Sequence, residues 1–298
     1  MQVISIASQK GGVGKTSTTV NLAARLAMAG YRVLVVDLEP QAQAGTALGV
    51  NLIGDDILKR SLGMALQFAL QKLPGTPLKD IMFDQSHILA DFADAGRLCV
   101  LASEEETMST VQDMFVTKPH NMTPILRRML VEQFSDAFDY VLIDTPPSVR
   151  ALNAVGTSAS DWVIAVYNPE YATAKGVLVL RSAVEKVTEL TGGECNPQFL
   201  GVLLNQSNPE SKLTIMDIEV SSAVWEGGLL PFVTEVRRDV RIAQAYFTGV
   251  PAVVPFLKLS PGKQYTALVE EVLDRIDLPR DEWKIALPLG MEEEEVDA

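Results

Sequence analysis

Two lysines bracket a run of glycines in "KGGVGKT", Lys10 to Thr16. Gly11, Gly12 and Gly14 let backbone N–H groups converge on an anion, and the helical pattern that begins near Thr16 directs its positive end to the same place. With Val13 and Ser17 completing the loop, the segment is built to cradle a polyphosphate: Lys15 neutralises the terminal phosphates, and the Thr16 hydroxyl is a ligand for Mg²⁺. The usual glycine-rich pattern G-x-x-x-x-G-K-[ST] is not met, because Gln9 occupies the first glycine position. Lys10 is the extra feature, since one lysine already suffices for a single bound phosphate group. Two acidic sites could complete the chemistry. "VVDLEPQ" carries Asp37 and Glu39 beyond an apolar run, and "YVLID" ends on Asp144.

These groups need a frame that brings distant loops to one edge. Short apolar runs rich in β-branched residues recur at 3–7, 32–37, 97–102, 140–144, 162–167, 199–205 and 252–256, as expected for strands buried on both faces of a sheet. Helical stretches lie between them, among them Thr16–Ala29, stopped by Gly30, and Ala172–Leu190, stopped by Gly192 and Gly193. Strand alternating with helix predicts an α/β fold: a doubly wound, mainly parallel sheet with helices on both faces. "GMALQFALQKL" reads as a helix within the less regular stretch 50–95. No linker or internal repeat divides the chain, so residues 1–278 read as one domain. Residues 279–298, with Pro279, Pro288 and the "EEEE" run, read as an acidic, flexible tail.

Composition narrows the chemistry further. Cys99 and Cys195 stand apart with no CxxC pair, and His87 and His120 are equally scattered, so neither zinc nor an iron–sulfur cluster is expected. The formal net charge is −13, which opposes broad attraction to nucleic acid or anionic lipid. No signal-peptide pattern opens the sequence and no apolar run is long enough to span a bilayer, so a cytoplasmic protein with no membrane partner is expected.

The motifs together resemble the deviant Walker A group of P-loop ATPases, and within it the ParA-type partition ATPases, over roughly residues 1–277. The resemblance implies ATP and Mg²⁺ as cofactors and a homodimer that sandwiches two nucleotides. In that arrangement the lysine matching Lys10 reaches the partner's phosphates, while Lys15 serves its own. "VVDLEPQAQAGTALGV" resembles the family's first switch segment. It implies that Glu39, where the family usually has aspartate, orients the attacking water, with Asp37 supporting the loop and the Mg²⁺ shell. "YVLIDTPPS" resembles the second switch region, with Asp144 holding a Mg²⁺-bound water. Asn205 falls where relatives often contact adenine. "VRRDVRIAQAYFTGVP" resembles the base-binding and nucleic-acid-facing region, which would put Arg237 and Asp239 near the base and make Arg237, Arg238 and Arg241 the candidates for nonspecific DNA binding. Lys212, Lys258 and Lys263 could assist. Function by resemblance is ATP-dependent partition of a plasmid or chromosome, with nucleoid association in the ATP state and a ParB-like partner that stimulates slow basal hydrolysis. A sibling that positions another large cargo stays open as an alternative, as does a MinD-like cell-division ATPase, although the latter normally ends in a basic amphipathic helix and this chain ends in acid.

Overall fold

The computed structural model describes residues 1–116, 123–147 and 151–289. Among these residues eight strands form one sheet: β1 (Gln2–Ala7), β2 (Val33–Asp37), β3 (Phe83–Asp84), β4 (Leu98–Leu101), β5 (Tyr140–Asp144), β6 (Trp162–Tyr167), β7 (Gln198–Ser207) and β8 (Val236–Arg237). Their order is β3-β4-β2-β5-β1-β6-β7-β8, and every pairing is parallel except that of β3 with β4. The chain winds from β1 towards one edge and, after β5, continues from β6 towards the other. The carboxyl ends of β1, β5 and β6 therefore border the topological switch point, where open α/β sheets bind ligands.

Alternation along each strand separates two cores. Ile4, Ile6, Val33, Val35 and Leu142 face one side, packed with residues of the helix α1 (Lys15–Met28) and of the helix Ser260–Asp277. Val3, Leu34, Val36, Val141 and Ile143 face the other, against Leu62 and Leu66, Met108 and Val111, Leu126 and Leu130, and Leu152 and Val155 from four further helices. A third cluster joins the helix Tyr171–Leu190 to β6 and β7. Both faces are thus covered, which explains strands that are apolar throughout rather than alternating. Among the described residues no helix is long and apolar enough to cross a membrane.

Six of the seven expected strands form. The run 252–256 does not: it is a series of turns, with Val253 N–H donating to Asn21 Oδ1 at 2.8 Å and Val254 N–H to the Pro251 carbonyl. Ala252 and Val253 are apolar because they are buried beside α1, and Pro255 has no N–H to give to a ladder. In its place the edge strand is β8, and β3 caps the opposite edge; at two residues each, neither has a readable period.

The expected tail also begins differently. Buried Arg275 donates to the carbonyls of Leu200, Leu230, Pro231 and Lys284. Trp283 is nearly buried, Ala286 N–H bonds the Pro231 carbonyl and Leu289 N–H bonds Ser221 Oγ. Residues 279–289 therefore lie against the body of the fold, and the Glu292–Glu295 run falls outside the described residues.

Candidate nucleotide site

The glycine loop leaves the end of β1 and delivers its last glycine as the N-cap of α1. Gly14 has φ +90°, and a β-carbon there would lie 2.2 Å from Asn205 Nδ2, so both the backbone twist and the close approach require glycine. Among the described residues no group accepts a hydrogen bond from the N–H of residues 11–17. Such a row of unpaired donors at a helix start suits an anion.

Lys15, Thr16 and Ser17 from α1 line a cleft of about 480 Å³ with Gly11, Gly12, Gly14, Glu39, Gln41, Gln43, Pro147 and Gln206. Lys15 is only 6% exposed; burial lowers its pKa, while the charges of Asp144 and Glu39 oppose that effect. Thr16 Oγ1 donates to Asp144 Oδ2 at 2.6 Å, and Thr19 Oγ1 lies 3.4 Å from the other carboxylate oxygen. Asp37 sits beside Asp144 in the β2–β5 register. It accepts N–H bonds from Glu39 at 3.1 Å and from Gly45 at 2.9 Å, so it fixes the segment that carries Glu39 and the short helix Gln43–Ala47.

Asp144 and Glu39 thus face one buried lysine, with Asp37 beside Asp144. Burial, with the neighbouring Asp144 charge, holds Asp37 well above the usual carboxylate range. Asp144 is pushed up to about 6 by burial, against the pull of the Thr16 hydrogen bond and Lys15. Glu39 rises to about 7, chiefly by burial, with Lys15 working against the shift. A hydroxyl and a buried, undercharged carboxylate cluster form the hard oxygen set that Mg²⁺ takes, usually through water. The residues present fit that ion.

A second cleft, of about 370 Å³, continues from the first through Gly14, Ser17 and Gln206. Asn205, Arg237, Arg238, Asp239, Ile242, Ala243 and Tyr265 complete its wall. Asn205, expected at the base, lines this cleft, and its Nδ2 donates to the Val13 carbonyl at 3.0 Å and the Gly14 carbonyl at 3.4 Å, so its amide is engaged with the glycine loop. Asp239 caps the helix Val240–Thr248 and holds the Arg241 guanidinium through both oxygens. Arg237 pairs with Glu235 at 2.7 Å. Arg238 is exposed. The arginine cluster is therefore partly neutralised by its own neighbours.

Lys10 stands apart from Lys15. It lines neither cleft, is exposed, and pairs with Glu170 at the start of the helix Tyr171–Leu190. Gln41, Gln43, Glu170 and Gln206 were not singled out by sequence. The two glutamines beside Glu39 could have been found from their switch segment, whereas nothing local marks Gln206.

Known proteins share the family and the fold of this chain. The family model described as an AAA domain matches residues 1–198. The chromosome-partitioning ATPase Soj of Thermus thermophilus is 31% identical over 276 residues, covering 92% of this chain and 96% of Soj. Among solved structures, a Cyanothece McdA variant in complex with ATP aligns with a TM-score of 0.72 at 18% identity, over 94% of this chain and 99% of that one. MinD of Pyrococcus horikoshii with Mg-ADP aligns at 0.67 and 21% identity, over 91% and 95%. At these identities the two structures speak for the fold.

Proposed function

The chain belongs to the ParA–MinD family of P-loop ATPases, and we propose that it is an ATP-dependent dimerisation switch acting in partition of a plasmid or chromosome. The observation that supports this reading is the division of labour between the two loop lysines. Lys15 is buried inside its own phosphate cleft, while Lys10 is outside it and exposed. A lysine so placed can exchange its Glu170 partner for phosphates presented by a second subunit.

ATP would lie with its phosphates against residues 11–17 and its base in the Asn205–Tyr265 cleft. Thr16 and Asp144 would hold Mg²⁺, which would supply charge neutralisation at the phosphates. Lys15 adds the fixed positive charge on the same side. Glu39, held by the Asp37 hydrogen bonds to its segment, faces the γ-phosphate end and orients the attacking water; with a pKa near neutrality it can accept a proton there. Asp37 acts through the loop. Its full burial makes it a support for the Mg²⁺ shell rather than an exposed ligand.

In the ATP dimer, Arg238 would contribute to a nonspecific DNA surface with Arg237 and Arg241, and a ParB-like partner would accelerate hydrolysis and release. This matches a protein of the cytoplasm that associates with the nucleoid when ATP is bound. Binding to random-sequence duplex at two salt concentrations, with ATP, ADP or no nucleotide, tests the DNA part of the proposal. ATP-dependent binding that weakens with salt and is lost in Arg238→Glu/Arg241→Glu supports it. Absence of binding in every state, with ATP dimerisation intact, would favour positioning of a different cargo.

A further inference from the structure

We infer that Asn205 and Gln206 form a positioning clamp on the phosphate loop, in which β7 sets the direction of the loop's N–H groups. This rests on the nucleotide reading of the cleft. Successive strand residues ordinarily point to opposite sides, so two neighbours should not both reach one loop. Here the β7–β8 register shifts between Asn205 and Ser207, and Gln206 takes φ +57°, a left-handed conformation rarely held by a residue with a side chain. The irregularity turns both side chains towards the loop.

Their contacts fall on three consecutive carbonyls. Gln206 Nε2 donates to the Gly12 oxygen at 2.8 Å, and Asn205 Nδ2 to the oxygens of Val13 and Gly14. Asn205 is itself oriented, since its Oδ1 accepts the Gln206 N–H at 2.8 Å. In a planar trans peptide the N–H points opposite to the preceding C=O. Fixing those three oxygens towards β7 therefore turns the N–H groups of Val13, Gly14 and Lys15 the other way, and none of them has an acceptor among the described residues. The clamp prepares the anion nest before any ligand arrives, so nucleotide binding needs little reordering of the loop. A strained backbone at Gln206 is the cost of bringing the second donor into reach.

The test uses the full chain with Gln206→Leu, which keeps bulk but cannot donate, and Gln206→Gly, which relieves the left-handed strain and also removes the donor. Amide resonances of residues 12–15 are followed without nucleotide, and ADP affinity and thermal midpoint are measured alongside. The clamp predicts shifted or broadened Val13 and Gly14 amides in both variants, ADP binding weaker by about tenfold, and a Gly variant whose midpoint does not fall. A purely structural role for Gln206 would move stability and affinity together. Unaltered loop amides in Gln206→Leu would overturn the clamp. If the loop amides move but wild type binds no ADP, the clamp stands and the nucleotide reading of the cleft fails.

Discussion

Thr16 Oγ1 donates to Asp144 Oδ2 at 2.6 Å, which ties the first turn of α1 to the carboxyl end of β5 across 128 residues of sequence. These two side chains are the ones that would hold Mg²⁺. Asp144→Ala should leave Mg²⁺-free ATP binding within a few-fold of wild type and abolish the gain in affinity that Mg²⁺ brings. Calorimetry with Mg²⁺ and with a chelator measures both. An undiminished Mg²⁺ effect would move the ion elsewhere.

The carboxyl cluster makes stability depend on pH in a definite direction. Glu39 moves from an ordinary 4.5 to about 7 in the fold, and Asp144 from 3.8 to about 6, so the native chain binds more protons than the unfolded one between these limits. Stability then falls as pH rises through that window. The thermal midpoint of nucleotide-free wild type should decline relative to Glu39→Gln between about pH 4.5 and 7, since the amide cannot ionise. A difference that grows in favour of wild type with rising pH would contradict the assignment.

Arg275 is 1% exposed and gathers four backbone carbonyls and Glu271 at the junction of β7, the loop before β8 and residues 279–289. Arg275→Ala takes a charged donor from each of those carbonyls, although Leu230 and Pro231 keep the N–H groups of Val202 and Ala286. Loss of about 3–5 kcal/mol is expected, read from urea unfolding, and proteolysis should release the C-terminal segment first. A loss below about 1 kcal/mol would mean that this junction is replaceable.

The frame and the heart of the site were legible in the sequence for physical reasons. β1, β2, β5 and β6 are apolar on both faces, so their runs stand out, and the glycine loop needs its residues adjacent in sequence. Asp37, Glu39 and Asp144 could be placed because each follows a strand whose carboxyl end had to face the same edge. What could not be read depends on contacts distant in sequence. Asn205 is held by carbonyls about 190 residues away, and no local pattern records that its amide faces the loop. The run at 252–256 shows the opposite failure: burial beside α1 selects the same apolar residues as a strand does. The arginines at 237 and 241 stand among nearby acids, but sequence does not show that Glu235 and Asp239 fold back onto them.

The central claim is that Lys10 acts across a subunit boundary while Lys15 acts within its own. Light scattering with Mg²⁺ and a non-hydrolysable ATP analogue tests it most directly, comparing wild type with Lys10→Ala after calorimetry has shown that both still bind nucleotide. The account predicts that the 32.4 kDa wild-type chain doubles in mass and the variant stays monomeric. A Lys10→Ala chain that binds the analogue and doubles like wild type would contradict it.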